Sequence, residues 1–446
     1  QFGKPTQITH PDQTVERYEY DVKGNLIKAI NAGGTEVHTA YDAFDREIAR
    51  KKTYAGALLS QETFAYRGIH LIGATDPEGY ATAYTYDFAG RKIAEERAGK
   101  KTSYSYDTLG RIAQTQVADL VHCTERDFLD QIVAERKEDA QGKVLAEERY
   151  TYDAAGNRTA ILKEVDGQAS QDQFRYDLFG RLTLHIDPRG AETTAAYNDH
   201  FLNDAGERVQ QKITSDPEGI SLIETYNTRG KLAHAEKRSA SGKFLGSETF
   251  TYNQDGRCIK QESAVVSFVD NSHSTRTLER TYDFRGNVIT LIQASGTAAP
   301  KITRFTYTPT GLLHQTLKPI GITVEKTYDG LGRLIELSTS DKTLHYRYTY
   351  NGLDHLLLME DCIANKSTDR NVDPHGSLTF EKLDHGLYIR SAYDTLGRRT
   401  ELLLPDNSSI AYRYDALYLR EVERNGKAHR FLNFDLSGNL LLQEHI

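Results

Sequence analysis

Aspartates that recur at regular intervals are the side chains with the clearest chemical potential in this chain. Asp87 and Asp107 are two of them, each with a glycine three residues later. Paired carboxylates can carry out acid–base hydrolysis of a glycosidic bond. An active site needs one special constellation, however, and these aspartates recur in about 19 similar copies. The regular recurrence therefore favours a structural role in turns and predicts no catalytic residue.

Metal binding has equally little support in the residue types. One carboxylate per Asp-x-x-Gly loop falls short of the six to eight oxygen ligands that Ca²⁺ takes. His122 beside Cys123 has no partner at the spacing of a zinc site. Cys123, Cys258 and Cys362 are too scattered for a disulfide framework, so we expect free thiols that are buried or half-buried. The sequence thus predicts no metal and no cofactor.

The recurring aspartates belong to a motif, Tyr-Asp-x-x-Gly-Arg or Tyr-Asp-x-x-Gly-Asn, with a mean spacing of about 23 residues. A fixed period in this range indicates a repeat architecture. We predict one continuous array over residues 1–446 that begins and ends within a copy. The structural residues of the six clearest copies are Tyr20, Asp21, Gly24, Tyr86, Asp87, Gly90, Arg91, Tyr106, Asp107, Gly110, Arg111, Tyr176, Asp177, Gly180, Arg181, Tyr328, Asp329, Gly332, Arg333, Tyr393, Asp394, Gly397 and Arg398.

Each copy is predicted to form two short strands. Residues 82–86 alternate small and aromatic side chains before the motif, and residues 181–186 alternate after another copy. In the turn between the strands, aspartate accepts a hydrogen bond from the backbone two residues on, and glycine takes a positive φ. A second turn, such as 76–79 with its Asp-Pro-x-Gly sequence, closes the unit. These signals predict an all-β fold of tandem hairpins in a long antiparallel sheet.

Two further expectations concern packing. The Tyr and Arg that flank one turn, such as Tyr86 and Arg91, are expected to meet across their hairpin in a cation–π contact. About 38 strands are expected, and open sheets rarely exceed about 10 strands without curling, so the sheet should coil with the fixed hand of its twist. Between Tyr197 and Tyr282 the spacing is looser, which predicts longer loops.

Composition narrows the classes of function. Hydrophobic residues make up only 38% of the chain, and the mean hydropathy is −0.60, which fits a sheet one layer thick with water on both faces. The net charge of −8 disfavours a nucleic-acid partner, because such binding depends on clustered Lys and Arg. No stretch approaches the roughly 18 apolar residues of a membrane-spanning helix.

The motif, followed by an apolar–polar strand and turns such as Asp187-Pro188-Arg189-Gly190, resembles the YD repeats of the RHS family over essentially the whole chain. Members include bacterial polymorphic toxins, the B and C components of insecticidal toxin complexes, and the teneurin adhesion receptors. The resemblance implies a β-sheet strip that spirals into part of a hollow shell. Bacterial members usually end the shell with Asp-Pro-x-Gly-Leu motifs that supply aspartates for self-cleavage. Here Asp373-Pro374-His375-Gly376 is followed by Ser377, so no self-cleavage residue is assigned.

The function implied by the resemblance is that of a non-enzymatic shell segment of a bacterial RHS toxin, which encapsulates and shields a C-terminal toxic cargo. The implied partners are the flanking repeats, a C-terminal toxin segment of the same or a partner chain, and proteins of a delivery machinery. Assembly in the bacterial cytoplasm would precede secretion or surface delivery. The alternative is a cell-surface adhesion or glycan-binding module, in which exposed aromatic side chains stack on sugars.

Overall fold

The computed structural model describes residues 3–165, 168–266, 273–295, 299–383, 386–415, 417–434 and 440–445. Within these residues the chain consists of β-strands joined by turns, and it contains no α-helix. The prediction of an all-β antiparallel sheet is confirmed. The last motif copy, which starts at Phe434, lies largely outside the described residues.

The sheet has 39 strands. In chain order these are β1 Gln7–Thr9, β2 Val15–Tyr20, β3 Leu26–Ile30, β4 Thr35–Tyr41, β5 Glu47–Tyr54, β6 Ala57–Arg67, β7 His70–Thr75, β8 Ala81–Tyr86, β9 Lys92–Arg97, β10 Lys100–Tyr106, β11 Ile112–Val117, β12 Leu120–Arg126, β13 Ile132–Asp139, β14 Val144–Tyr152, β15 Arg158–Val165, β16 Gln168–Tyr176, β17 Leu182–Ile186, β18 Glu192–Leu202, β19 Arg208–Ser215 and β20 Ser221–Tyr226. They continue with β21 Leu232–Arg238, β22 Phe244–Tyr252, β23 Cys258–Val266, β24 His273–Tyr282, β25 Val288–Ser295, β26 Lys301–Tyr307, β27 Leu313–Leu317, β28 Thr323–Tyr328, β29 Leu334–Thr339, β30 His345–Tyr350, β31 Leu356–Asp361, β32 Lys366–Val372, β33 Leu378–Lys382, β34 Tyr388–Tyr393, β35 Arg399–Leu403, β36 Ser409–Tyr414, β37 Leu419–Arg424, β38 Lys427–Phe434 and β39 Leu440–His445.

Every strand pairs antiparallel with its neighbour in the chain, as β8 does with β9 and β9 with β10. The sheet is therefore a continuous meander, and its turns lie in two rows, one at each end of the strands. We call these two rows edges, and they differ in sequence. The tyrosine edge carries the turns of the Tyr-Asp-x-x-Gly motif, such as Asp87–Gly90. The return edge carries the turns that lead back to the next motif, such as Asp76–Gly79.

The sheet is a single layer. Among the described residues, no side chain is less than 2% exposed. The accessible surface is 26,757 Å², whereas a compact monomer of 50.3 kDa would expose only about 17,000 Å². Both faces of the strip therefore remain open, in agreement with the low hydrophobic content.

Contacts between turns that are far apart in the chain show that the strip coils. Arg285 contacts Asp12, and the backbone N–H of Gly352 donates to Glu78. In both cases the second turn lies 23 strands further along the sheet than the first: β24/β25 against β1/β2, and β30/β31 against β7/β8. Strands lie about 4.8 Å apart, so 23 of them give a perimeter of about 110 Å and a width of about 35 Å.

The expectation of longer loops between Tyr197 and Tyr282 is wrong for the described residues. Strand β18 runs on for 11 residues through Tyr197, with a bulge between Asn198 and Phe201, and its turn follows at Asn203–Gly206. Strands β22 and β23 have nine residues each. The extra residues lengthen the hairpins because longer strands satisfy backbone hydrogen bonds that a loop leaves to water. Residues 267–272 lie outside the described part.

Candidate functional site: the repeat clamp and the seam between coil turns

Most copies share one geometry of the motif turn, shown here at Asp87. The Gly90 N–H donates to the Asp87 carbonyl at 3.0 Å, and the Asp87 N–H donates to the Arg91 carbonyl at 2.9 Å. Asp87 Oδ1 accepts from the N–H groups of Ala89 and Arg91, both at 2.9 Å. The aspartate thus satisfies turn donors that the sheet ladder leaves unpaired, and its carboxylate is fully engaged.

The fifth motif position requires a left-handed backbone. Gly90 has φ +79° and Gly180 has φ +74°, a region that β-branched residues avoid. The same geometry recurs at Gly24, Gly110, Gly332 and Gly397. In three copies an aspartate takes this position with a positive φ: Asp45, Asp130 and Asp354. Aspartate tolerates the left-handed region better than most residues because its short side chain bonds locally.

Sequence reasoning missed the role of these three aspartates, which form ion pairs with the preceding copy. Arg111 Nη1 lies 2.9 Å from Asp130 Oδ1, and Arg333 Nη1 lies 3.1 Å from Asp354 Oδ1. Asp45 accepts from Lys23 at 3.0 Å. The signal was present in the sequence, since each of these copies has aspartate where most of the other copies have glycine.

The motif arginine does not meet the tyrosine of its own hairpin, so that expectation is wrong. Arg91 Nε donates to Asp87 Oδ2 at 2.8 Å. This bond lays the guanidinium along the tyrosine edge, where it covers the ring of Tyr106 in the next copy at 4.7 Å. The Tyr106 hydroxyl in turn donates to the Lys92 carbonyl at 2.5 Å. We call this set, Asp and Arg of one copy with Tyr of the next, the repeat clamp.

The repeat clamp recurs along the strip. Its arginine–tyrosine pairs include Arg46–Tyr66, Arg181–Tyr197, Arg333–Tyr350 and Arg398–Tyr414, with 4.2–5.2 Å between guanidinium carbon and ring centre. Their arginines each pair with the aspartate four residues earlier: Asp42, Asp177, Asp329 and Asp394. The copy at Tyr20 has Asn25 instead of arginine, and Asn25 Nδ2 donates to Asp21 at 3.0 Å. Tyr176 donates to the Arg158 carbonyl at 2.9 Å. Neighbouring hairpins are thereby fixed to one another without a second layer.

The clamp groups have shifted pKa values with clear causes. Backbone N–H donation from Arg91, followed by its guanidinium, lowers the pKa of Asp87, and Arg111 lowers that of Asp107 in the same way. Burial raises the pKa of Tyr328, and burial is also the main reason that the pKa of Tyr307 is raised. The folded strip therefore favours charged aspartates and protonated tyrosines.

These shifts predict loss of stability at both ends of the pH scale. The aspartates contribute stability above their unfolded pKa of about 3.9, and it is lost as pH falls through the lower folded values. The tyrosines contribute stability below about pH 10, and it is lost as pH rises through the higher folded values. Thermal unfolding followed by circular dichroism should show a plateau between these limits. Tyrosinate absorbance that develops at pH 10 with the sheet unchanged would contradict the prediction.

Tyr328→Phe is expected to lower the local free energy of unfolding by about 1 kcal/mol, because a part-buried hydrogen bond is lost. The Tyr328 hydroxyl donates to the Leu313 carbonyl at 2.7 Å. Tyr66→Phe is the matched control, because Tyr66 lies under Arg46 and no described residue accepts from its hydroxyl. Hydrogen exchange of the flanking strands measures the difference. Equal effects of the two substitutions would show that the hydroxyl bond adds nothing.

Other candidate residues do not form a chemical site. No group of three or more His, Cys, Asp or Glu side chains converges to hold a metal among the described residues. His122 faces Glu135 at 3.9 Å. Cys123 is buried, which raises the pKa of its thiol, and Cys258 is half-buried. Cys362 is exposed, contrary to expectation, because it lies in a return turn.

The contacts between successive coil turns form a second structural site, which we call the seam. Here return turns of residues 12–97 meet motif turns of residues 285–374. Thr35 Oγ1 donates to the Gly330 carbonyl at 2.6 Å, and Thr35 is buried. Arg97 Nη1 donates to the Pro374 carbonyl at 2.5 Å. Arg285 Nη2 donates to Thr14 Oγ1 at 2.8 Å.

Gly330 is the tightest point of the seam. A Cβ at Gly330 would lie 2.6 Å from Tyr54 Cβ and 2.7 Å from Leu59 Cδ1. Its φ is not in the left-handed region, so the requirement for glycine comes from this close approach. The seam joins parts of the strip that lie about 23 strands apart, so the coil completes one turn there.

The fold and the repeat clamp define a strip of tandem β-hairpins built on a repeated Tyr-Asp motif. Comparisons with known proteins agree with this description. The family model described as RHS Repeat matches residues 2–36, which confirms the resemblance to the RHS family. A curated relative, double-stranded DNA deaminase toxin A of Burkholderia cenocepacia (strain H111), is 22% identical over 438 residues, covering 80% of this chain. The chain spans 30% of that relative's length.

A solved structure shares the fold. The crystal structure of TcdB2-TccC3 without its hypervariable C-terminal region aligns with a TM-score of 0.55 and 13% identity, covering 95% of this chain and 27% of that chain. At this level of identity the likeness concerns the fold alone. Among the described residues, no helix is long and apolar enough to cross a membrane.

Proposed function

We propose that this chain is a wall segment of a bacterial RHS toxin shell, without enzyme activity, that encloses and shields a toxic segment. The seam is the observation that carries the proposal. A one-layer sheet with both faces open, closed on itself by turn-to-turn contacts such as Thr35–Gly330, has the form of a wall around a space. The toxin relative and the TcdB2-TccC3 fold support this assignment.

The geometry explains why such a wall resists opening. Each repeat clamp contributes a small amount, about 0.5–1 kcal/mol for a cation–π contact at an exposed site. The contribution is repeated from copy to copy, so stability is spread along the strip, as in other repeat proteins. Recurrent aspartates are occupied by turn N–H groups and arginines, which leaves them unsuited to acid–base chemistry. The shell would be filled in the cytoplasm and then secreted or surface-delivered.

Protease protection tests the proposal on the complete gene product. A C-terminal segment inside the shell should survive a protease that digests the same segment alone. Gly330→Thr should expose it by opening the seam, whereas the reciprocal change at the same motif position, Thr108→Gly, should not. Rapid digestion of the segment in the unaltered protein would refute the container function.

A second test uses the 446-residue chain by itself. It should show no hydrolase activity and no toxicity when expressed in cells, because its recurrent side chains are engaged in turns and clamps. Toxicity of this chain alone would refute the proposal. Micromolar binding of a glycan by the stable chain would instead support the adhesion alternative.

A further inference from the structure

A cavity of about 550 Å³ lies within the seam, and we call it the seam cleft. Asn31 and Tyr54 line it from the return turns on one side, and residues 308–332 supply the motif turns on the other. Both sides belong to this chain and are bonded to each other, for example from Thr35 to Gly330. The cleft therefore does not depend on what precedes residue 1 or follows residue 446. Small molecules bind in concave sites where a few polar groups converge.

The seam cleft lies where one repeat clamp is incomplete. The motif copy on this side has Thr308 and Leu312 where the clamp has aspartate and arginine. Among the described residues, no cation covers the ring of Tyr328 in the next copy, whereas arginines cover the corresponding tyrosines elsewhere. Thr308, Leu312 and Tyr328 all line the cleft. The space is thus found at a place that a clamp arginine fills in other copies.

Lys326 brings an unpaired charge to the seam cleft. Its position, two residues before the first motif residue, is aromatic in copies such as those with Tyr84 and Tyr104, and it is charged in four copies. Three of the four charged residues have partners at 2.8–3.5 Å: Glu224 with Lys212, Arg280 with Gln261, and Arg370 with Glu381. Lys326 is half-buried and lines the cleft, yet among the described residues no group pairs with its ammonium. A partly desolvated charge without a partner is unfavourable, and an anion would offset that cost.

The carboxylate in the cleft does not fill this role. Asp329 is the only carboxylate among the residues that line the cleft. Its Oδ2 accepts from Arg333 Nε at 2.7 Å, and its Oδ1 accepts from the N–H groups of Leu331 and Arg333. Both oxygens are therefore occupied within their own turn, and Lys326 remains available to a ligand.

The opposite side of the seam cleft adds a hydrogen-bond donor and an aromatic surface. Asn31 Oδ1 accepts from the N–H groups of Gly33 and Thr35 at 3.0 and 2.9 Å. These two bonds fix the orientation of the amide and leave its NH₂ group as a donor. Tyr54 is 44% exposed and lines the same cleft. The cleft thus combines an ammonium, an amide donor and an aromatic ring from two coil turns.

We propose that the seam cleft binds a small organic anion. Its carboxylate or phosphate group bonds to Lys326 and Asn31, and its apolar part packs against Tyr54. The ligand contacts both coil turns, so its binding stabilises the closed seam. The inference goes beyond the shell function and does not depend on any cargo.

Calorimetric titration of the 446-residue chain with benzoate, benzamide and inorganic phosphate tests the proposal. We expect saturable binding of at least one of the two anions and none of benzamide, which has the shape of benzoate without its charge. The tighter of the two anions shows whether the site prefers a carboxylate or a phosphate. Hydrogen exchange of residues 31–35 and 328–332 should slow in the presence of the anion that binds, because these residues form both sides of the cleft.

Three variants locate the binding. Lys326→Tyr introduces the aromatic residue that other copies have at this position, so it should fold normally and lose binding. Lys326→Gln should bind about tenfold more weakly, as expected for the loss of one charged hydrogen bond. Lys318→Gln removes the same charge from an exposed return turn outside the cleft and should bind like the unaltered chain.

Two outcomes would overturn the proposal. One is the absence of binding with both benzoate and phosphate, and the other is unchanged binding in the two Lys326 variants. Circular dichroism of each variant verifies that the sheet is intact, so a loss of binding cannot be attributed to unfolding. Protease protection of cargo is measured separately, so failure of the shell function leaves this result intact.

Discussion

Gly330→Thr should open the seam and expand the molecule. The new side chain has no space, because its Cβ would lie 2.6 Å from Tyr54 Cβ and 2.7 Å from Leu59 Cδ1. Overpacking of this kind costs about 1–3 kcal/mol, and the cost falls on the contact that closes the coil. We expect a larger radius of gyration by small-angle X-ray scattering and faster proteolysis near Tyr54.

The chain supplies its own control for this substitution. Gly330→Thr creates Tyr-Asp-Thr-Leu-Gly-Arg, the sequence already present at residues 106–111 and 393–398. The local turn therefore accepts threonine, and any large effect must come from the seam. Thr108→Gly makes the reverse change at an exposed turn and should leave the radius unchanged. A Gly330→Thr variant with unaltered scattering would show that the two coil turns are not held together as described.

Gly180→Val should destabilise its hairpin and the neighbouring clamps by about 1–3 kcal/mol, the usual cost of a sparsely populated backbone conformation. Gly180 has φ +74°, and an added Cβ would lie 3.2 Å from Asn157 Oδ1. A β-branched side chain therefore meets both backbone strain and a close neighbour. Hydrogen exchange of β16 and β17 is the measurement.

Gly180→Asp is the informative comparison. Elsewhere in the strip, Asn25 Nδ2 donates to Asp45 at 2.9 Å, and Asp45 holds φ +61° at the glycine position. Asn157 stands before Gly180 as Asn25 stands before Asp45. The aspartate variant should therefore remain within about 0.5 kcal/mol of the unaltered protein, as substitutions without a disruptive mechanism usually do. Equal loss in both variants would show that side-chain size alone limits this position.

The predictions for Gly180 and Gly330 distinguish two reasons for which a motif position requires glycine, one local and one distant in the chain. Gly180 is required by the backbone of its own turn, which a single motif copy already specifies. Gly330 is required by residues about 270 positions earlier in the chain, and no feature of its own motif indicates this. The third motif position does not itself require glycine, since Thr108 and Thr395 occupy it in other copies.

The sequence by itself determined the strands and the turns. Alternation in residues such as 82–86 and the Asp-x-x-Gly signal act over a few residues, so each hairpin is specified where it stands. It also indicated the single layer, through low hydrophobic content, and the resemblance to the RHS family, through the repeated motif. The sequence did not reveal which aromatic ring Arg91 contacts. Asp87 directs the guanidinium towards Tyr106 only when the hairpins lie side by side.

Only the tertiary structure showed which turns contact each other between successive turns of the coil. Asp12 and Arg285 carry no mutual signal, and they meet because small twists between adjacent strands accumulate over 23 strands until the strip returns to its own edge. The same accumulation covers Leu331 and leaves Leu109 exposed, although both stand in the same motif. Local residue patterns fix each hairpin, whereas the sum of many strand-to-strand rotations fixes the seam.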